Sequence, residues 1–375
     1  MPYAIPATHL LEPECIPSFW ISKVGDVENY LQHAVHHGAV DEIGQSAGRR
    51  SLYCTTYGHP RDSSGTTTFS GALGFRDIKA YLGPEYNKRV YMAMGGIHGA
   101  EFEGIVGIIN LISILETGHD LRGKDWPEIT KISQQLDRII LIPIVNVDGR
   151  ERVPIRMQIH HGNESTVQEY LNTGGKKDGT LIGWPECKAH IPLDFETTQF
   201  PGGYPNDAGV NIQHDDFLGS RQPETESLFI LTAQERPDLI VNMHTGAPGN
   251  NYFTRAHRPF IEPVLNPNFN ELYRSIHTRL TLAGLQSSDD VEIEADPTQL
   301  KCGPYNLDTA LNLQCGALTI LIESPCHGFS GTDRTGKIVV QSADNLLDAQ
   351  LNCHLASMEY LLETGGTWKW HSGTI

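Results

Sequence analysis

The sequence has no long apolar run and no closely spaced pair of cysteines. Its 375 residues include seven cysteines, and none of them belongs to a Cys-x-x-Cys motif. The first 20 residues contain no basic segment followed by an apolar one, so we expect no signal peptide. No apolar stretch approaches the roughly 20 residues needed to span a bilayer. These absences predict reduced thiols and a cytoplasmic protein without a membrane segment.

Basic residues are scarce relative to acidic ones. The chain has 28 lysines and arginines against 45 aspartates and glutamates, which gives a formal net charge of −17. Such a field repels nucleic acids and anionic membranes, so we predict neither as a partner. The sequence does not indicate the oligomeric state. Repeats, low-complexity tracts and linkers are also lacking, which predicts one catalytic domain over residues 1–375 with an N-terminal extension at 1–25.

Apolar runs and their spacing indicate a mixture of buried strands and helices. We predict four buried strands, numbered here in chain order, at 89–96, 138–146, 238–246 and 317–324. Helical patterns at 103–118 and 342–366 both end at or near a glycine. Strands interleaved with helices predict an α/β protein with a mostly parallel sheet covered on both faces. Residues 150–210 lack periodicity, and we expect this long insertion to form a substrate-binding surface.

Two histidines and two glutamates lie at the carboxyl ends of these predicted strands. His98 and Glu101 follow the first strand, His244 lies near the end of the third, and Glu323 near the end of the fourth. In open α/β sheets, ligands bind beyond the carboxyl ends of the strands. Because all four side chains come from such ends, we expect them to lie close together.

The residue types match the chemistry of a catalytic zinc site. Neutral imidazoles and one carboxylate, with a fourth position left for water, are typical ligands of catalytic zinc. We therefore predict His98, Glu101 and His244 as metal ligands. Glu323 is then predicted as the general base that deprotonates a water whose pKa the metal has lowered. An His-x-x-Glu pattern alone is weak, and the prediction depends on all four residues together.

Six short segments occur in a defined order along the chain. They are IGQSAGRR (43–50), GGIHGAE (95–101), NVDG (146–149), PET (223–225), MHT (243–245) and LTILIE (318–323). In this combination they resemble the motifs of the M14 metallocarboxypeptidases. The resemblance implies a three-layer α/β/α sandwich on a mixed, mostly parallel sheet. It also implies one zinc ion per chain and hydrolysis of a peptide or small amide substrate.

One segment departs from the family pattern. Where the family carries an Asn-Arg pair that grips the terminal carboxylate of the substrate, this chain has Gln213 and His214. Neither side chain offers the bidentate charged fork of arginine. Both stay candidates for substrate binding. Asn211, in the same segment, lies where the resemblance implies a hydrogen-bond partner of the first zinc-binding histidine.

Other residues are candidates to supply the missing positive charge or to line the pocket. Arg150, Arg152 and Arg156 follow the NVDG segment. Related enzymes carry an arginine at a similar distance, where it stabilises the oxyanion, so the resemblance favours Arg156 as a catalytic residue. Arg150 and Arg152 are predicted to bind substrate, and Tyr305 is a candidate for a phenol above the site. An ordinary surface position is the alternative for each arginine.

A second motif points to a different chemistry. Residues 44–48, GQSAG, fit the Gly-x-Ser-x-Gly nucleophile elbow of α/β-hydrolases, with Ser46 as the nucleophile. An elbow requires a buried strand before the serine and a helix after it. Here the preceding segment is short and acidic, and the following one has the pattern of a strand. We therefore expect Ser46 to have no catalytic role.

Three functions remain open at this point. The leading one is a zinc-dependent, carboxypeptidase-like hydrolase of peptide or related amide bonds. The second is an N-acyl amino acid deacylase similar to aspartoacylase or succinylglutamate desuccinylase, because the altered clamp removes the exopeptidase signature. The third is a non-catalytic binding protein on the same fold. It is disfavoured because a binding module has no need of a general base beside its metal.

Overall fold

A computed structural model describes residues 3–159, 164–183, 185–188, 192–245, 255–257, 260–285, 305–327, 330–332 and 338–371. Its strands are β1 (Ala39–Gln45), β2 (Ser51–Gly58), β3 (Val90–Gly95), β4 (Arg138–Ile142), β5 (Gly175–Lys176), β6 (Thr198–Phe200), β7 (Leu239–Thr245), β8 (Arg255–His257), β9 (Leu318–Ser324), β10 (Ser330–Thr332) and β11 (Ile338–Val340). In the described part of the chain, 3-10 helices span Ala7–Leu10, Glu186–Lys188, Ile212–His214 and Pro263–Leu265.

The α-helices are α1 (Val24–Ala34), α2 (Phe69–Phe75), α3 (Ile78–Leu82), α4 (Phe102–Thr117), α5 (Pro127–Ser133), α6 (Val147–Arg152), α7 (Glu164–Thr173), α8 (Pro223–Glu235), α9 (Asn266–Leu282), α10 (Leu307–Cys315), α11 (Ala343–Thr364) and α12 (Thr367–Trp370). None of the helices in the described part of the chain is long and apolar enough to cross a bilayer.

Seven strands form one mixed sheet in the order β1-β2-β4-β3-β7-β9-β8. The four central strands, β4, β3, β7 and β9, run parallel to one another and correspond to the four predicted strands. The remaining strands of this sheet pair antiparallel at its two sides. Parallel strands place their carboxyl ends at the same edge, so the last residues of β3, β7 and β9 lie together there.

Helices cover both faces of the sheet. Side chains along β3 alternate between the two faces, and those on both faces are buried. Tyr91 and Ala93 pack into a core with α1, α4, α5, α9 and α11, whereas Met92 and Met94 pack into a second core with α8 and α10. The predicted three-layer α/β/α sandwich on a mixed, mostly parallel sheet is therefore confirmed. The assignment of residues 1–375 to one domain stays a prediction.

The amino ends of the central strands are held by a buried ion pair. Nη2 of Arg61 lies 2.8 Å from Oδ2 of Asp238, and neither side chain is exposed. The Asp238 carboxylate also accepts the backbone N–H of Val90 at 2.8 Å and that of Thr367 at 2.9 Å. This cluster joins β3, β7 and α12 at the edge of the sheet opposite to the histidines.

Candidate metal and active site

The turn after β3 brings His98 and Glu101 to the edge of the sheet. Gly96 has a φ of +59°, a left-handed conformation that glycine adopts without strain. A Cβ added to Gly99 would lie 2.1 Å from the carbonyl carbon of Gly149, so the turn packs directly against α6. Glu101 occupies the N-cap position of α4, which fixes its backbone at the start of a long buried helix.

Three buried side chains meet at this edge of the sheet. Nδ1 of His98 lies 2.8 Å from Oε1 of Glu101, and Nδ1 of His244 lies 3.0 Å from Oε2 of the same carboxylate. The three possible ligand atoms all lie within 4.8 Å of one another. Among the described residues, this is the group of histidine and carboxylate side chains that could hold a metal ion. Two nitrogens and one oxygen fit a zinc ion with an open position.

The charge of Glu101 is stabilised by the two histidines. Burial would raise the pKa of its carboxyl, but the charges and hydrogen bonds of His98 and His244 outweigh burial and lower that pKa to about 2. The backbone N–H of Thr245 also donates to Oε2, at 3.1 Å. Glu101 is therefore a carboxylate over the ordinary pH range, as a metal ligand must be.

Asn211 and Tyr204 fix the imidazole of His98. Oδ1 of Asn211 lies 3.3 Å from Nε2 of His98, and the Asn211 amide donates to the carbonyl of Cys187 at 2.9 Å. An amide oxygen can only accept, so Nε2 of His98 donates to it, and a metal would take the place of the Nδ1 hydrogen that now faces Glu101. The ring of Tyr204 stacks on the imidazole with 3.7 Å between centroids and 4° between planes.

Asn146 holds the segment that carries Tyr204. Its amide nitrogen donates to the carbonyls of Gly203 and Tyr204, at 3.2 and 2.9 Å, and its amide oxygen caps α6 by accepting from Gly149. The backbone N–H of Gly99 donates to the carbonyl of Gly203 at 2.7 Å. The NVDG segment therefore aligns the stacking tyrosine with the metal-binding turn.

Glu323 is brought to the site by strand register. On the parallel strands β7 and β9, His244 and Glu323 are directly paired. Neighbouring strands lie about 4.8 Å apart, and paired residues present their side chains on the same face. Glu323 is half-buried, in contrast to the fully buried His244. The pairing thus places the Glu323 carboxylate next to the candidate ligand His244, on the same face of the sheet.

A further carboxylate, Glu103, is buried on the first turn of α4. Its Oε1 accepts the backbone N–H of His327 at 2.6 Å. Burial, together with the nearby charge of Glu101, raises the pKa of Glu103 to about 7. Glu103 thus ties the segment that follows β9, and with it Glu323, to the helix that begins at Glu101.

Arg150, which the sequence suggested for substrate binding, is buried within the protein. It is 1% exposed, and its guanidinium donates to the carbonyls of Ser22 at 2.7 Å, Val153 at 2.9 Å and Ile155 at 2.7 Å. It also stacks on the ring of Phe102. Because its donors are used by the backbone, this placement favours a structural role over the predicted contact with substrate.

The other two arginines also have partners in the protein. Arg152 donates to the carbonyls of Gly202 and Pro205, both at 2.8 Å, and forms an ion pair with Asp207 at 2.7 Å. It lines a groove of about 620 Å³ beneath the N-terminal segment. Arg156 is largely exposed, and its Nε lies 3.4 Å from Glu12. Substrate binding by Arg152 stays a prediction, and so does oxyanion stabilisation by Arg156.

The two residues of the altered clamp have different environments. Gln213 is buried, and its amide donates to the carboxylate of Asp308 at 2.7 Å, so this donor is used inside the protein. His214 ends the neighbouring 3-10 helix and is half-buried. Tyr305 is 43% exposed and lies edge-on against Phe217, with 5.7 Å between ring centroids. Substrate binding by His214 and Tyr305 stays a prediction.

The structure excludes the nucleophile elbow. Ser46 lies in the turn of the antiparallel hairpin formed by β1 and β2, where no helix follows it. Its hydroxyl donates to Asp148 at 2.6 Å and accepts the backbone N–H of Arg50 at 3.0 Å. The GQSAG segment is therefore hydrogen-bonded to α6, and its context is not that of an elbow, as the sequence-based argument expected.

Several residues around the ligands were not identified from the sequence. Asn242 interrupts an apolar strand two positions before His244, and a polar side chain in such a run was a usable signal. Tyr204 lies in a segment without periodicity and Asp308 on the short helix α10, and both lie far along the chain from the residues they contact. For Glu103, the only signal in the sequence is its position two residues after the His-x-x-Glu motif.

Comparisons with known proteins agree with this geometry. The sequence matches the zinc carboxypeptidase family, peptidase M14, over residues 34–286, which is more than half of the chain. Among curated protein sequences the comparison finds no significant match.

Two solved structures with similar folds are metallo-carboxypeptidases. The one from Burkholderia cenocepacia has 12% identity and a TM-score of 0.51, covering 89% of this chain and 67% of its own. The one from Pseudomonas aeruginosa, in complex with (2-guanidinoethylmercapto)succinic acid, has 13% identity and a TM-score of 0.53, covering 91% and 69%. At such low identity the structural similarity shows the fold alone. The family match adds the chemistry: this chain belongs to the zinc carboxypeptidase family and is a zinc-dependent hydrolase of the metallopeptidase type.

Proposed function

We propose that the protein hydrolyses a peptide or related amide bond, with zinc held by His98, Glu101 and His244 and with Glu323 as general base. The observation that carries this proposal is that the three possible ligands lie together and that Glu323 is paired with one of them, His244, on the neighbouring strand. These three residues would hold zinc, which would supply Lewis-acid chemistry for the substrate carbonyl and for a neighbouring water. Glu323 accepts the proton of the attacking water and then donates it to the leaving nitrogen.

The substrate is the second part of the proposal. Gln213 donates to Asp308 rather than outward, and Arg150 and Arg152 donate to backbone carbonyls. A free C-terminal carboxylate therefore finds no arginine fork at these positions. We propose that the enzyme does not require a C-terminal carboxylate. An N-acyl amino acid deacylase stays the alternative that the sequence left open, and its substrates also carry a free carboxylate.

Metal analysis tests the ligand assignment. Protein purified without added zinc should contain about one zinc ion per chain, and the His98→Ala variant should contain far less. The Ser46→Ala variant is the matched control, because it also alters a buried polar side chain near α6 and should retain its metal. Equal zinc content in the wild type and in His98→Ala would remove His98 from the site.

A substrate panel tests specificity. Blocked dipeptides with a free C-terminus, their C-terminal amides and N-acyl amino acids should be compared at equal concentration. We expect the amides to be cleaved at least as fast as the free acids. Rapid cleavage of the free acids with no activity on the amides would mean that another residue provides the clamp, and that the enzyme is a conventional carboxypeptidase.

A further inference from the structure

Asp308 is a carboxylate in the interior that is satisfied by two amide side chains. It is 0% exposed and lies in the first turn of α10. Its oxygens accept from Nε2 of Gln213 at 2.7 Å and from Nδ2 of Asn242 at 3.1 Å. Within the described part of the chain, no lysine or arginine forms an ion pair with it. Burying a carboxylate without a cationic partner is costly, so a specific function is expected in return.

The side chain of Asp308 does not serve its own helix. Asn306 is the N-cap of α10, and its amide oxygen accepts the backbone N–H of Thr309 at 3.1 Å. Capping is therefore complete without Asp308. Its side chain instead points away from the helix, toward the segment 211–213 and toward β7.

Each of the two amide side chains lies on a segment that contacts or carries one of the two histidines. The backbone N–H of Gln213 donates to Oδ1 of Asn211 at 3.1 Å, and this same oxygen lies 3.3 Å from Nε2 of His98. On the other side, Asn242 stands two residues before His244 on β7, so both side chains project from the same face of the strand. Asp308 thus binds the side chain next to the support of His98 and a side chain of the strand that carries His244.

We infer that Asp308 is a positioning residue of the metal centre: through Gln213 and Asn242 it holds the segment that supports His98 against the strand that carries His244. The inference rests on the proposed ligands. Partners of this kind orient metal ligands and typically change metal affinity about 10–100-fold when they are replaced. The arrangement also explains why Gln213 is turned away from the substrate: its amide is needed by the carboxylate.

The Asp308→Asn variant tests the inference because it keeps the shape and places an amide N–H₂ opposite one of the two donors. The zinc dissociation constant would be measured by competition with a chelator, and the unfolding of the same preparations by urea titration. Asp238→Asn is the matched control, since Asp238 is an equally buried carboxylate at the other end of β7. We expect an increase of about 10–100-fold in the zinc dissociation constant for Asp308→Asn. For Asp238→Asn we expect lower stability with unchanged zinc affinity.

The outcomes separate this inference from the proposed function. If wild-type protein binds zinc, His98→Ala does not, and Asp308→Asn binds as tightly as the wild type, the positioning role is wrong while the ligands stand. Equal weakening by Asp238→Asn and Asp308→Asn would also overturn it, because the effect would then follow stability alone. Should Asp308→Asn fail to fold, Gln213→Met removes the nearer donor and keeps the carboxylate. Its zinc dissociation constant should rise, and an unchanged value would count against the inference.

Discussion

His244 and Glu323 are register partners on the neighbouring parallel strands β7 and β9. His98 and Glu101 follow β3, which pairs with β7 on its other side. Three adjacent strands therefore supply the candidate ligands and the candidate base. Because side chains alternate along a strand, a slip of one residue between β7 and β9 would turn Glu323 to the opposite face of the sheet. The register of β7 against β9 therefore sets the distance between the candidate base, Glu323, and the candidate ligand His244.

The first prediction concerns Glu323. In Glu323→Gln the amide keeps the size of the side chain but cannot accept a proton from water. We expect zinc content to stay at the wild-type level and kcat to fall by about 10²–10⁴-fold, the usual contribution of a general base. Steady-state kinetics with metal analysis of the same preparation is the measurement. A variant that keeps most of its turnover would exclude Glu323 as the base.

The second prediction concerns the support of His98. In Asn211→Leu, Nε2 of His98 loses its acceptor, so the tautomer and the ring orientation are no longer fixed. We expect the zinc dissociation constant to rise about 10–100-fold. Asn211→Asp keeps an acceptor at the same place and should bind zinc nearly as the wild type does. Equal zinc affinity of the leucine variant and the wild type would show that stacking by Tyr204 is sufficient.

Ser46 gives the third prediction, which separates the two catalytic motifs. Its hydroxyl bonds to the charged carboxylate of Asp148, so Ser46→Ala should lower the free energy of unfolding by about 1–3 kcal/mol. We expect kcat to be unchanged, because the residue anchors a hairpin. Urea unfolding and steady-state kinetics on one preparation test both points. Loss of turnover in a folded variant would mean that a serine nucleophile operates after all.

The fourth prediction concerns pH. His354 is fully buried on α11, with Nδ1 2.8 Å from the hydroxyl of Tyr91, and burial lowers the pKa of the imidazole to about 3. In the unfolded chain the pKa of histidine is about 6.5, so below that pH the unfolded state binds a proton that the folded state does not. The contribution of His354 to stability therefore falls as pH decreases from about 6.5 to about 3, by at most about 1.4 kcal/mol per pH unit.

The His354→Gln variant isolates this effect from all other titrating groups. Glutamine can still accept from the Tyr91 hydroxyl but does not titrate. Unfolding free energies of the wild type and the variant would be compared at pH 7.5, 6 and 5. The difference between them should shift in favour of the variant as pH falls, and a difference that does not change with pH would contradict the prediction.

Much of the architecture could be predicted because its signals are local. The four central strands are apolar runs that are buried on both faces, and α4 ends where Gly118 adopts a left-handed conformation. The edge strand β1 was not predicted, because its residues are mostly exposed and its sequence, AVDEIGQ, lacks an apolar run. An edge strand depends on pairing with β2 more than on burial, and pairing leaves little trace in composition.

The candidate site was predictable only where it lies at strand ends. Topology brings the carboxyl ends of β3, β7 and β9 together, so His98, His244 and Glu323 could be grouped without knowledge of side-chain positions. The roles of Gln213 and Arg150 could not be judged in this way. Both are polar side chains in segments that read as loops, and whether such a side chain faces substrate or the interior depends on partners more than 50 residues away along the chain.

The buried guanidinium of Arg150 has a consequence for where the folded unit begins. The family match starts at residue 34, yet Arg150 donates to the carbonyl of Ser22, and Trp20 and Ser22 donate to the carbonyl of Arg156. A chain trimmed to the matched span would leave the buried Arg150 guanidinium with one acceptor missing. The contacts that hold these two arginines thus extend upstream of the matched span, at least to Trp20.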